Sequence, residues 1–347
     1  MALAGVDTLL VSVGSDLPYL TGYRAMPLER LTMLVLPAAG EPVLVIPELE
    51  VARVTPHEAF TIRAWSETED PVAIVADLAA GSHRAAIGDQ TWARFVLALD
   101  AAMPDAALVS AGDLMSALRR CKAADEVRRL RAAAEAADDV IARLAEMTLS
   151  GSAERAVARE ITEMMLVAGH ETVEFAIVAS GPNGSSPHHE PTDRLIEPGD
   201  AIVVDIGGRR DGYCSDTSRT FHVGRPDPAY ARAYEVLQRA QEAGVAAVRP
   251  GVPAQEIDRA ARAVIEAAGY GDRFIHRTGH GIGLDPHEAP YLVEGNDEVL
   301  AEGMSFSVEP GIYQPAAWGM RIEDIVVVTA DGVDRLNTSD RRLYIVG

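Results

Sequence analysis

Residues 201–223, AIVVDIGGRRDGYCSDTSRTFHV, open on an apolar run ending in a carboxylate and two glycines, pass through Arg-Arg-Asp-Gly, and return as a second β-rich run. A buried carboxylate is costly unless it is paired or binds metal, so Asp205 behind Val203-Val204 needs a partner. The Arg-Arg-Asp-Gly segment reads as a hairpin turn. If the turn centres on Arg210-Asp211, Asp205 faces Asp216 directly; if it centres on Asp211-Gly212, Asp205 faces Ser218 and Asp216 is its diagonal neighbour. Side chains alternate along a strand, so either register puts both carboxylates on one face. Like charges this close repel, which calls for a cation or a shared proton.

Further acids join them downstream. Glu309 closes the apolar run in MSFSVEPG, and Glu323 lies in MRIEDIVVV two residues after Arg321, hence on the same face of a predicted strand. His280 sits in RTGHGIGLDPHE, where Gly279, Gly281 and Gly283 let the backbone approach closely. Carboxylates and a histidine, with no thiolate among them, are ligands suited to manganese, cobalt or zinc. The charge of Asp205, Asp216, Glu309 and Glu323 together balances two divalent ions and exceeds one. Two such ions about 3.5–4 Å apart serve hydrolases that polarise a carbonyl and clamp a tetrahedral intermediate.

Periodicity sets the elements around this centre. Ala123–Met147 carries apolar residues at helical spacing, and a second helix spans Ala153–Ala168, stopping near Gly169. A strand, FAIVASG, and the hairpin follow. Two more helices are predicted over Pro228–Ala247 and Ala254–Ala268, ahead of a β-rich C-terminal region. Helix pair, hairpin, helix pair, hairpin reads as two similar α+β halves. The first third instead alternates short strands (VDTLLVSV, RLTMLVLP, PVLVIP, FTIRAW, RAAIGD, ALVSA) with helices near Asp70–Ala80 and Thr91–Met103, the pattern of a small α/β layer structure. The boundary is predicted to leave residues 1–122 as an α/β domain and 123–347 as an α+β domain.

Composition excludes other classes. Across 347 residues, 31 Lys+Arg against 52 Asp+Glu leave a net charge of −21, which argues against binding nucleic acid. Lys122 is the single lysine, so nearly all positive charge is arginine. Two cysteines, Cys121 and Cys214, make no disulfide framework. No stretch approaches the ~20 apolar residues of a membrane span, and MALAGVDTLLVSV lacks the basic start of a secretory signal. The expected location is the cytoplasm, with no membrane partner.

The ordered set Asp205, Asp216, His280, Glu309 and Glu323, in the contexts VDIGG, SDTSRT, GHGIGLxxHE, EPG and RIED, resembles the pita-bread metallopeptidases: methionine aminopeptidase, aminopeptidase P and prolidase. The resemblance covers essentially all of residues 123–347. The first 122 residues, notably DLPYLTGY, are similar to the creatinase-type N-terminal domain of prolidases and aminopeptidases P. The resemblance implies a pita-bread catalytic domain with a smaller creatinase-like domain before it, and a homodimer. It implies one metal held by Asp205, Asp216 and Glu323 and a second by Asp216, His280, Glu309 and Glu323, with manganese the first choice and cobalt or zinc the others.

Further positions match the Xaa-Pro-cleaving members: His188 in SSPHHEP, His276, His287 and Arg321. By that resemblance a metal-bridging hydroxide attacks the scissile carbonyl, whose oxygen His287 holds. Glu309 passes the proton to the leaving nitrogen, His188 and His276 line the proline side, and Arg321 orients Glu323 or the substrate. His189 and His222 read as structural neighbours, His57, His83 and His170 as surface residues, and Cys214 as a packed core residue. The implied substrates are short proline-containing peptides, with Xaa-Pro dipeptidase ahead of aminopeptidase P. Methionine aminopeptidase is disfavoured by the N-terminal domain and by His188 and His276. A dipeptidase must recognise a free carboxylate, usually with arginine. Tyr291 stands after HEAP where many prolidases carry that arginine, which makes Arg24 and Arg30 the substitutes to consider. The reading from another class is a metal-free binding module, which would leave four carboxylates clustered without a compensating cation.

Overall fold

The structure, a computed structural model, describes residues 1–347, with every side chain except that of Ala2. The chain divides into two units, Met1–Leu118 and Arg119–Gly347.

The first unit runs β1 (Thr8–Val11), α1 (Asp16–Thr21), β2 (Met33–Pro37), β3 (Val43–Pro47), β4 (Thr61–Trp65), α2 (Pro71–Leu78), β5 (Arg84–Ile87), α3 (Ala93–Ala102), β6 (Ala107–Ser110) and α4 (Gly112–Arg119). Its strands form one sheet in the order β4-β3-β2-β1-β5-β6. Alternate side chains point to opposite faces. Leu10, Met33 and Val45 pack against Val75 of α2 and Leu99 of α3, while Leu9, Val11 and Leu34 pack against Leu17 of α1 and Met115 of α4. Both faces are therefore covered, which is why all of Thr8–Val11 is buried. Asp70 starts α2 by accepting from the N–H groups of Val72 and Ala73, with Pro71 at the first helical position. α1 and α4 are elements that the sequence analysis did not predict.

The second unit begins with α5 (Ala124–Leu144), α6 (Glu154–Val167), β7 (Thr172–Ser180), β8 (Ala201–Arg210), β9 (Tyr213–Val223), α7 (Pro228–Ala247) and α8 (Ala254–Ala267). It continues with β10 (Gly279–Gly281), β11 (Glu288–Leu292), β12 (Ser305–Val308), β13 (Gly311–Gln314), β14 (Trp318–Arg321), β15 (Asp324–Val328), β16 (Val333–Arg335) and β17 (Tyr344–Val346). Three sheets result, β17-β9-β8-β7, β11-β10-β12-β15-β16 and β13-β14, among the described residues. Ile141 of α5 and Ile161 of α6 pack on Val204, Ile206 and Phe221. Leu237 of α7 packs on Ile312 and Met320, and Ile257 of α8 packs with Phe306, Val308 and Val326. Each helix pair thus covers strands of its own half, as the two-half pattern predicts. With Val204, Ile206 and Phe221 facing helices, the strand period of two turns Asp205, Asp216 and Ser218 to the other face.

The β8–β9 turn is Asp211-Gly212, both at positive φ (50° and 79°), the hairpin type whose twist matches its strands. Asp205 pairs with Ser218 and Gly207 with Asp216, the second of the two registers. One expectation is corrected: MRIEDIVVV is not a continuous strand. β14 ends at Arg321 and β15 begins at Asp324, so Glu323 lies in a break between two sheets rather than inside a strand. The opposing run breaks in step at Glu309-Pro310, where proline has no N–H to give a ladder. The backbone N–H groups leave the hairpin here, Glu309 donating to the Thr278 carbonyl and Glu323 to that of Ser218.

Candidate metal centre

Each half of the second unit sends acids to one cavity of about 140 Å³. β8 brings Asp205, β9 brings Asp216, the break after β12 brings Glu309, the break before β15 brings Glu323, and the three-residue β10 brings His280. His188, His276, His287 and Arg277 line the same cavity, and Phe175 and Ile177 form an apolar wall. Metal-capable atoms converge in overlapping groups within 4.8 Å: Asp205, Asp216 and Glu323; His280, Glu309 and Glu323; Asp216, His280 and His287. The last brings His287, read from sequence as a substrate contact, within ligand range as well.

His280 is fixed from both sides. Its Nδ1 lies 3.1 Å from the Gly281 carbonyl, so that nitrogen donates and Nε2 is left facing Glu309 Oε1 at 3.2 Å and Asp216 Oδ2 at 3.6 Å. Ser307 ties the pieces together, accepting from the His280 N–H at 3.0 Å and donating to Glu309 Oε1 at 3.0 Å. A side chain on Gly279 would come within 1.9 Å of the Ser307 carbonyl, so glycine there is what allows β10 to lie against β12. On the other side Ser218 donates to Glu323 Oε2 at 2.9 Å and Arg321 donates to Asp205 Oδ2 at 2.6 Å.

Electrostatics distinguish these acids. Burial, then the charges of Glu323 and Asp205, pushes Asp216 well above the usual carboxylate range. Burial and Glu309 do the same to Glu323, and burial raises Asp205 against the pull of Arg321. Partial burial would raise Glu309 too, but its bond to His280 brings it down to about 2. Burial, with His280 and Arg277 adding positive charge, lowers His287 to about 4, so its imidazole is neutral at pH 7. Asp205 Oδ1 and Glu323 Oε1 are buried without a hydrogen-bond partner among the described residues. Orphaned buried oxygens amid crowded carboxylates are the chemistry of a divalent-cation site.

Residues 128–330 match the family described as Metallopeptidase family M24, and residues 1–121 match the Creatinase/Prolidase N-terminal domain. The chain belongs to metallopeptidase family M24. This M24 chain is 46% identical to a Mycobacterium tuberculosis protein named probable dipeptidase PepE, over 99% of its own length and 93% of the relative's. It is 36% identical to an Xaa-Pro dipeptidase of Lactobacillus helveticus, with 98% and 95% covered. The crystal structure of a Thermococcus sibiricus prolidase superposes with a TM-score of 0.93 at 37% identity, covering 99% of this chain and 96% of that one. The fold is accordingly the M24 catalytic fold with a creatinase-type N-terminal unit, and the family is one of divalent-metal enzymes.

Several residues of this M24 site carry no sequence signal of their own. Tyr313 OH accepts from Arg321 Nη1 at 2.9 Å and donates to His276 Nε2 at 3.0 Å, linking two sequence-named positions. Arg321 itself is absent from the cavity lining and reaches the centre through Asp205 and Ser218. Tyr291 is also outside that lining; the Arg277 guanidinium stands 4.4 Å over its ring. Lys122, the single lysine, is buried and bonded at 2.5 Å to Glu288, next to His287, while Arg119 holds Glu288 and Asp285. Ser218 was readable, since the Asp211-Gly212 register sets it opposite Asp205. His170 corrects an expectation: it is buried, not at the surface, bridging Ser215 Oγ at 2.9 Å and the Met165 carbonyl. Cys214 is packed, its thiol pushed up to about 12 by burial.

Proposed function

We propose that this metallopeptidase hydrolyses the Xaa-Pro bond of dipeptides. The observation that carries the reading is the convergence of Asp205, Asp216, His280, Glu309 and Glu323 with His188, His276 and His287 on one small cavity. Two relatives spanning nearly the whole chain support it, one named an Xaa-Pro dipeptidase and the other a prolidase. Two divalent ions, manganese by preference, would be held by Asp205, Asp216 and Glu323 and by Asp216, His280, Glu309 and Glu323, and when bound they acidify water and polarise a carbonyl.

The chain's own residues supply the rest. Glu309, ionised at pH 7, is the carboxylate placed to take a proton and hand it to the leaving prolyl nitrogen. His287, neutral at the mouth, donates to the scissile carbonyl oxygen. Arg321 orients Asp205 and holds Tyr313, which fixes the ring of His276. His188 and His276 border the proline side, in a cavity that Phe175 and Ile177 also line. The bond to proline is a tertiary amide without an N–H, so a wall that grips a ring replaces the hydrogen bond an ordinary peptidase makes there. A cytoplasmic homodimer completes the reading; its support is the family resemblance, and no described helix is long and apolar enough to cross a membrane.

The test compares an Xaa-Pro dipeptide with a longer Xaa-Pro-Xaa peptide, using protein loaded with manganese and a chelated control. Metal-dependent cleavage favouring the dipeptide is expected. Preference for the longer peptide would make the enzyme an aminopeptidase P, and turnover unaffected by chelation would overturn the metal centre.

A further inference from the structure

Arg277 lines the cavity, yet no described carboxylate lies within ion-pair distance of its guanidinium. Its neighbours differ: Arg321 is committed to Asp205, Arg262 to Asp258 and Arg119 to Asp285 and Glu288. In the first unit, Arg30 is bound to Glu29 and Glu67. The contact Arg277 does make is with a ring face, 4.4 Å above Tyr291. A guanidinium held over a ring face in this way keeps its N–H donors unspent.

The pair is keyed to the metal strand. Tyr291 of β11 is the register partner of His280 of β10, and Arg277 precedes His280 by three residues. A spare arginine in a half-buried cavity wall, with donors in a fixed fork, is suited to a carboxylate. The cavity is also below the roughly 300–1,000 Å³ of clefts that take drug-sized ligands, which favours a short substrate whose end lies inside it. The end of an Xaa-Pro dipeptide is the carboxylate of proline.

We propose that Arg277, held over Tyr291, receives the free C-terminal carboxylate of the substrate and so restricts the enzyme to dipeptides, an inference that rests on the Xaa-Pro reading. Tyr291 is then a positioning residue that acts through Arg277.

The experiment measures kcat and KM of the manganese-loaded full chain for Ala-Pro and for its C-terminal amide, in wild type, Arg277→Leu, Arg277→Lys and Tyr291→Leu. Wild type is expected to favour the acid. Arg277→Leu should lower kcat/KM for the acid about 10- to 100-fold, chiefly through KM, so that the acid-to-amide ratio collapses towards one. Arg277→Lys should retain part of the ratio, and Tyr291→Leu should lower it less than Arg277→Leu does. Calorimetric binding of L-proline should weaken by a similar factor in Arg277→Leu. An acid-to-amide ratio that survives Arg277→Leu overturns the inference while leaving the Xaa-Pro reading intact. Wild type that cleaves neither substrate overturns both.

Discussion

Glu154, the first residue of α6, carries a buried charge that is structural rather than part of the metal cavity. Burial alone would raise its pKa, but the N–H and hydroxyl of Ser180, His189 Nε2, Asn183 Nδ2 and the N–H and hydroxyl of Thr192 all bond to it, and the group is held at about 2. These donors tie down the loop that carries His188. A carboxyl whose folded pKa lies below its unfolded value stabilises the fold above the unfolded pKa, near 4.5, and loses that contribution as the pH falls through about 2. Glu154→Gln is therefore expected to cost on the order of 3 kcal/mol at pH 7. The gap to wild type should narrow as the pH drops from 4.5 towards 2, in denaturant titrations at several pH values. Nothing in the sequence distinguishes Glu154 from any acid at a helix start. The metal-cavity acids were legible because a charge inside an apolar run is conspicuous, whereas Ser218, Ser307 and Tyr313 act through contacts that only the folded chain creates.

Among the elements, the three-residue β10 is hemmed in by backbone on both sides. A Cβ at Gly279 would meet the Ser307 carbonyl at 1.9 Å and one at Gly281 would meet that of Ala289 at 2.3 Å. Gly279→Ala must push β10 off β12 and take His280 with it. A destabilisation of about 3 kcal/mol is expected, with manganese affinity falling in parallel by calorimetry; a variant with normal affinity would show that His280 is positioned by something else. Most elements were readable from periodicity: Pro228–Ala247 is a helix over the span its apolar spacing predicts, and Asp211-Gly212 makes the hairpin its dipeptide implies. The breaks at Glu309-Pro310 and Ile322-Glu323 were not, because alternation continues through them and only the Thr278 and Ser218 carbonyls reveal where the backbone bonds go.

For the molecule as a whole, the crowded acids make metal content a thermodynamic variable. A ligand bound only by the native state stabilises it by RT ln(1 + [L]/Kd), about 2.7 kcal/mol at a hundredfold excess over Kd. Chelation is expected to lower Tm by several degrees. Asp216→Asn supplies the sign test: in chelated protein, removing one of the mutually repelling carboxylates should raise Tm above chelated wild type, and with manganese present the order should reverse. The same melting curve in both conditions would sink the cation site.

Lys122 has a further consequence. Its ammonium is buried against Glu288, and the rest of the chain's cationic side chains are guanidinium or imidazole. Reagents that acylate side-chain amines under native conditions therefore find no accessible lysine among these 347 residues, so the labelling chemistry that decorates most protein surfaces leaves the side chains of this one untouched.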